Sequence, residues 1–338
     1  MTVKLKDIAR KANVSVSTVS RVINKSKYVS PELAERVNSV IKETGYMPDQ
    51  IARSMVTKRT KLIGIIIPDI SQRFYSILLS GIEEVTSEYD YNILICNIND
   101  NLEKEYKYLN ILKTMRADGI IIMHEKFSEK VEDYLRSIDI PIVLSSVKSR
   151  NLKAISVNID DFRASYDAVE YLIRLGHRKI AMIGGDLQDI TTGKNRFAGY
   201  RQALKDYGIE YSESYFRIGN FKINDGYRAM DEILNANKKN RPTAVFVVSD
   251  EMALGAIDCI TDRGLKVPDD ISVVGFDDID LASSVKPKLT TVHQPIREIG
   301  RMSAELLIKQ LENKSISVRE VVIDHSLVIR DSCCKPCK

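Results

Sequence analysis

Arg21 is the side chain in this sequence whose chemistry is simplest to state. Its guanidinium fork can bond both acceptors on the major-groove edge of a guanine, while Val16 offers a methyl contact and Ser17 a hydroxyl. In a helix beginning at Val16, Val16 and Ser17 stand at the N-terminal end with Arg21 one turn later, the end that a recognition helix directs into the groove. Thr18, Ser20 and Asn24 are suited to phosphates, and because each alone is an ordinary surface residue, the set carries the reading. Catalytic and metal patterns fail on spacing. Gly193-Lys194 is followed by Asn195, with Gln188 where the first P-loop glycine belongs, so a phosphate cradle is missing. His124-Glu125 lacks its second histidine, since Ser128 stands there, and no Gly-x-Ser-x-Gly elbow occurs. No enzyme, metal site or cofactor is expected.

The elements that would position Arg21 are short helices. Ile8, Ala9, Val14, Val19 and Val22 recur at spacings that build one small core, so Leu5 to Asn24 reads as two helices around a tight turn. Asn13 suits the turn and Ser15 the second helix's cap. Ser30-Pro31 begins a third helix with Leu33, Val37, Val40 and Ile41 inside, and Gly45 ends it. Charge supports a polyanion partner. Residues 1–60 hold twelve Lys and Arg against five Asp and Glu, a net +7, whereas the remainder carries −3. The 338 residues suggest two or three domains at about 150 residues each. With 44% apolar and 28% charged residues, the chain is expected to fold throughout. No run approaches the roughly 18 apolar residues of a membrane span, and residues 1–10 carry charge where a signal peptide is apolar, so a soluble, cytoplasmic protein is expected. Cys96 and Cys259 sit in apolar segments. Cys333, Cys334 and Cys337 crowd the end, where Cys334 and Cys337 have dithiol spacing on an expected frayed terminus.

Lys6-Asp7-Ile8-Ala9 and the run from Val14 through Val16-Ser17-Thr18-Val19-Ser20-Arg21 to Asn24 resemble the headpiece of the lactose/galactose-repressor family. The resemblance continues through Gly45-Tyr46 and Ile51-Ala52-Arg53-Ser54-Met55 and then over nearly the whole chain. It implies a DNA-binding headpiece at 1–47, a hinge helix and linker at 48–60, and a body at 61–330. The hinge helix of this family enters the minor groove, which would add Ala52 and Met55 to the DNA contacts, with Met55 standing where the family wedges a leucine. Independently, Pro48 to Thr57 is shorter than the roughly 12–15 residues that an isolated helix needs, so it is expected to order on DNA.

After Lys61 the apolar runs shorten to Leu62–Ile67, Ile93–Cys96, Gly119–Met123 and Ile142–Leu144. A second set follows at Ile180–Ile183, Tyr215–Ile218, Ala244–Val248 and Ile271–Val274. Amphipathic segments separate them, including Asn195–Tyr207 and Glu251–Arg263, which is βαβ punctuation. The expected fold is α/β: a three-helix helix-turn-helix headpiece and hinge helix, then a body of two parallel-sheet subdomains like a periplasmic binding protein. The N-subdomain is expected at about 61–160 plus 292–320, the C-subdomain at about 161–291 plus 321–330, and a flexible tail at 331–338. Effectors of such sheets bind beyond the strands' carboxyl ends.

By the resemblance, Phe74 and Tyr75 form an aromatic wall, Arg196 and Asp277 a polar clamp, and Thr192, Phe221, Ser249 and Asp250 line the cleft. A guanidinium and a carboxylate hold vicinal hydroxyls, which implies a sugar or sugar derivative; the alternative for Arg196 is a plain ion pair with Asp277. Ile190 and Ser146 replace residues that contact purine, so a nucleobase is disfavoured. Ile67–Ser71, Phe74–Ser76 and Asp250–Gly255 look closest to the catabolite-control branch, whose corepressor is a phosphorylated carrier protein. Arg297 and Glu305 stand where that branch has a tyrosine and an arginine to receive the carrier, and the acid reverses a charge that would face phosphoserine. A small-molecule effector is therefore preferred over the carrier as partner. The resemblance further implies a homodimer on a near-palindromic operator. A transport binding protein or an enzyme could share the body but would have no use for residues 1–60. No leucine heptads follow Arg330, so the family's tetramer-forming tail is not expected.

Overall fold

The computed structural model describes residues 3–24, 28–46, 59–99, 101–149, 151–314 and 316–336, in two compact units, Met1–Thr60 and Lys61–Lys338. In the first, α1 (Leu5–Lys11), α2 (Val16–Asn24) and α3 (Pro31–Thr44) close around Ile8, Ala9, Ala12, Val19 and Val37. Asn13 makes the turn with φ 49°, a left-handed conformation that asparagine tolerates. Ser15 Oγ accepts the Thr18 N–H at 3.0 Å, capping α2, and Asp7 accepts the Lys4 N–H at 3.0 Å over α1. Pro31 opens α3 beside the Ser30 cap, and Gly45, at φ 63°, closes it where a Cβ would be strained. Val14, Val22, Val40 and Ile41 flank this core partly buried. The expected hinge helix, with Ala52 and Met55, lies outside the described residues, as does Cys337.

The second unit holds two six-stranded sheets. The first takes β1 (Leu62–Ile67), β2 (Asn92–Asn97), β3 (Gly119–Ile122), β4 (Ile142–Ser145), β5 (Ile155–Asn158) and β11 (Glu320–Val322), in the order β11-β5-β4-β3-β1-β2, all parallel. The second takes β6 (Ile180–Gly184), β7 (Phe216–Ile218), β8 (Ala244–Val247), β9 (Ser272–Asp277), β10 (Thr290–His293) and β12 (Ser326–Val328), in the order β12-β10-β9-β8-β6-β7, with only β12 antiparallel. Strands such as β1 and β8 are continuous apolar runs because helices cover both sheet faces. In the first lobe α4 (Arg73–Glu88), α5 (Leu102–Thr114), α6 (Glu129–Ser137) and α12 (Ile296–Leu311) do this. In the second lobe the helices are α7 (Asp161–Leu175), α8 (Arg196–Asp206), α9 (Ile223–Ala236), α10 (Asp250–Asp262) and the short α11 (Asp280–Ser284). Helices α4 and α12 cross at Gly81 and Gly300, where any Cβ would overlap the Arg297 and Leu78 carbonyls. The chain passes between lobes before α7, before α12 and between β11 and β12, so three strands of covalent chain form a hinge.

Three details differ from expectation. The outer two strands at one side of each sheet, β11 and β5 in the first and β12 and β10 in the second, come from short segments that the apolar-run reading did not mark. The first lobe's last strand reaches Val322, beyond 320. The tail expected to be flexible from 331 is packed through its described residues. Ser332 is fully buried, its Oγ donating to the Val273 carbonyl at 2.6 Å and accepting the Thr290 N–H at 2.8 Å. The Cys334 N–H bonds Ser272 Oγ at 3.0 Å, and the Cys334 carbonyl lies 2.9 Å from His177 Nε2. Burial pushes the Cys333 thiol up to about 12, which leaves it a thiol rather than a reactive thiolate at neutral pH.

Candidate functional site

In the helical unit, α2 presents Val16, Ser17 and Arg21 to solvent, and Val16 is 40% exposed despite being apolar. Thr18 and Ser20 are half-buried, and the Asn24 side chain lies outside the described residues. The Ser17 and Thr18 hydroxyls lie 2.7 and 2.8 Å from Ser15 Oγ, so the cap orders the polar N-terminal end of α2.

In the larger unit, the carboxyl ends of both sheets face one cavity of about 210 Å³. Pro68 beyond β1, Glu125 beyond β3 and Ser146 beyond β4 line it from one side, and Phe221, Ser249 and Asp277 at the ends of β7, β8 and β9 from the other. Of the eight residues expected here, Phe74, Tyr75, Thr192, Arg196, Phe221, Ser249 and Asp277 do line it. Phe74 and Tyr75 meet edge-to-face with ring centroids 5.3 Å apart. Asp250 does not line the cavity. It is buried behind the wall as the first residue of α10, accepting the Ile279 N–H at 2.9 Å and the Thr291 hydroxyl at 2.5 Å, so it braces the β9 end.

Arg196 and Asp277 do not form an ion pair with each other. Arg196, 3% exposed, directs Nε to Asp161 at 2.8 Å and Nη1 to the Val248 carbonyl at 2.7 Å, with its guanidinium 3.7 Å from the Phe276 ring centroid. No described residue accepts from Nη2, which leaves a fixed donor beside the cavity. Asp277, 7% exposed, accepts the Gln294 amide at 2.7 Å and sits at φ 120°, followed by Asp278 at φ 58°. Two consecutive left-handed residues are costly backbone, and they are held here by the β9–β10 pairing. Burial pushes Asp277 up to about 7, against the pull of the Arg196 charge and the Gln294 hydrogen bond.

Several cavity residues carried no earlier expectation. Glu125 accepts both the Thr191 N–H, at 2.9 Å, and the Thr191 hydroxyl, at 3.0 Å, across the cleft. Glu251 accepts the Arg73 N–H at 2.7 Å in the reverse direction. Four ion pairs join them: Arg73–Asp280 at 2.6 Å, Lys126–Asp186 at 2.9 Å, Lys126–Asp189 at 3.6 Å and Lys222–Asp69 at 3.0 Å. The lobes are therefore bridged on both sides of the cavity. His124, also on the wall, lies 2.9 Å from the fully buried Glu105 but off-line for a hydrogen bond. The rule that ligands sit beyond strand ends marks Glu125 and Ser146, each one to three residues past an expected strand. Among the described residues no cluster could hold a metal ion, and no helix is long and apolar enough to cross a membrane.

Residues 4–49 match the family model "Bacterial regulatory proteins, lacI family", and residues 169–333 match "Periplasmic binding protein-like domain". The transcriptional regulator RegA of Clostridium saccharobutylicum is 38% identical over 332 residues, covering 98% of this chain and 99% of the relative. The chain belongs to the lacI family. Catabolite control protein A of Priestia megaterium is likewise 38% identical over 333 residues, with 98% and 99% covered. Among solved structures, a lac repressor dimer bound to operator and an anti-inducer superposes with TM-score 0.87 at 27% identity, covering 99% and 100% of the two chains. This lacI-family member is a DNA-binding transcriptional regulator with a ligand-binding body, and its two-sheet unit is the family's α/β body.

Proposed function

We propose that the chain is an operator-binding repressor acting as a homodimer, whose grip on a near-palindromic site is set by a sugar-class small molecule in the cleft. Val16, Ser17 and Arg21 read the major groove. Thr18, Ser20 and Asn24 hold phosphates, and Ala52 and Met55 add the minor-groove contact. The reading rests on one observation above all: a fixed guanidinium, a buried carboxylate and an aromatic pair converge on a cavity that both lobes close. A ligand there gains contacts with both lobes only when they are together, so it favours one lobe arrangement by its differential affinity. A related regulator, CelR, was solved with cellobiose, with TM-score 0.74 at 30% identity over 98% of this chain and 99% of CelR, which supports a carbohydrate. Headpiece 1–47, hinge 48–60 and a body from 61 divide the work, and its place is the cytoplasm, where operators are.

A small molecule is preferred over a phosphorylated carrier because Arg297 is engaged with Glu84 at 2.8 Å and Glu305 adds an acid to the same helix. No catalytic step is assigned. The test is operator binding by fluorescence anisotropy with and without candidate sugars, on wild type and Arg196→Ala. Operator affinity retained in the variant with the sugar response lost supports the reading. An unchanged response removes the clamp, and a wild type without preference for any duplex removes the operator role.

A further inference from the structure

We propose that the effector carries a cationic group, of the amino-sugar class, set against Asp277 and Glu251, and that the cleft rejects phosphorylated sugars. This rests on the reading of the cleft as the effector site and deepens it.

Cations and acids around the cavity do not balance. Arg73 is matched by Asp280, Lys126 by Asp186 and, at 3.6 Å, by Asp189 on the wall, Lys222 by Asp69, Arg196 by Asp161 and Arg330 by Asp278. His124 lies against Glu105. Glu125, Glu251 and Asp277 on the wall, and Asp250 behind it, are then left over. Among the described residues no Lys, Arg or His forms an ion pair with any of these four. They are held by neutral donors: Thr191 for Glu125, the Arg73 amide for Glu251, Gln294 for Asp277, and Ile279 with Thr291 for Asp250. Burial pushes all four above the ordinary carboxylate range.

Asp277 has the most to gain from a ligand. It is more than nine-tenths buried and lines the cavity; Oδ1 is taken by Gln294, and Oδ2 accepts from no described donor. Glu251 stands close enough for its charge to raise Asp277 further, and the Arg196 charge that opposes this is committed to Asp161. An ammonium at this wall meets two carboxylates that form no ion pair and feel only the more distant charges of Arg196 and Lys222. The faces of Phe74, Tyr75 and Phe221, on the same cavity, also attract cations. A phosphate would meet the same acids as like charges in a partly dry site, where repulsion is poorly screened.

The experiment uses full-length protein at pH 7, thermal unfolding with an extrinsic dye, and calorimetric titration. The probes are D-glucosamine, D-galactosamine and D-mannosamine, their neutral parent hexoses, and the parents' 6-phosphates. At least one amine is expected to raise the melting temperature and to bind about tenfold or more tightly than its parent, with no shift from the phosphates. In Glu251→Gln and in Asp277→Asn that preference should fall to about threefold or less. The proposal is overturned if every amine is equalled by its parent, if a phosphate binds best, or if no probe shifts the protein. Neutral hexose binding as tight as that of every amine, and lost in Arg196→Ala, would overturn the cationic requirement while leaving the cleft as effector site. Specific operator binding, measured alongside, reports separately on the regulator reading.

Discussion

At the residue scale, two side chains carry sharply different expectations. Arg21 is exposed on α2 and can satisfy both acceptors of a guanine edge, so Arg21→Ala should lower discrimination at one operator base pair by about 1–3 kcal/mol. Competition binding over a set of single-base operator variants measures this, and unchanged selectivity would remove Arg21 from base reading. Asp277 is buried, and its acidity is shifted from 3.8 to about 7. A carboxyl whose folded value is raised binds its proton more tightly in the native state than in the unfolded one. Ionising it therefore weakens the fold progressively as pH rises from about 4 to about 7, beyond which the penalty is constant. The melting temperature of Asp277→Asn relative to wild type should accordingly climb across that window and then level. A difference independent of pH would mean that Asp277 ionises freely in the fold. Sequence reasoning found Asp277 by resemblance but could not give its state, because burial and the neighbouring Arg196, Glu251 and Asp161 come from three other segments.

At the element scale, helix ends were legible and the outer two strands at one side of each sheet were not. Ser15, Ser30, Pro31 and Gly45 act through their nearest neighbours in the chain, so their types announced α2 and α3. Strand β10, Thr290–His293, has no apolar run, and its place is decided by β9 and β12 on either side. The tail is the clearest case. Ser332 satisfies two buried backbone groups of other strands, Val273 and Thr290, that lie about sixty and forty residues away in the chain. Ser332→Ala strands the Thr290 N–H and leaves the Val273 carbonyl only the weak Cys333 thiol donor at 3.2 Å, and should cost about 1–3 kcal/mol in denaturant unfolding of the body. A loss within error of zero would show the tail to be ornamental. The same logic holds where α4 crosses α12. Gly81→Ala forces a Cβ against the Arg297 carbonyl and should destabilise the body by about 1–3 kcal/mol, read as a lower melting temperature.

At the scale of the whole molecule, the larger unit is two similar lobes on a three-stranded covalent hinge, bridged by Glu125, Glu251 and four ion pairs. The exposed pairs contribute little each. Glu125 is different, because its partners Thr191 N–H and hydroxyl sit at the entry to α8 in the opposite lobe. Glu125→Ala should thus open the cleft, seen as a larger radius of gyration in X-ray scattering, and should weaken the effect of any effector on operator affinity. Identical scattering from variant and wild type would place the closing force elsewhere.

The sequence by itself determined the helical unit, the alternation of strands and helices, and the identity of most cavity residues. Each of these depends on local spacing or on motifs kept within short segments. Only the tertiary structure decided which charges meet. It turned Arg196 to Asp161 instead of Asp277, drew Asp250 behind the wall, pinned the tail to β9, and left Glu125, Glu251 and Asp277 outside any ion pair. The physical reason is distance: hydrogen bonds and ion pairs act over about 3–4 Å, and in a two-lobed fold crossed three times by the chain those ångströms separate residues far apart in the sequence.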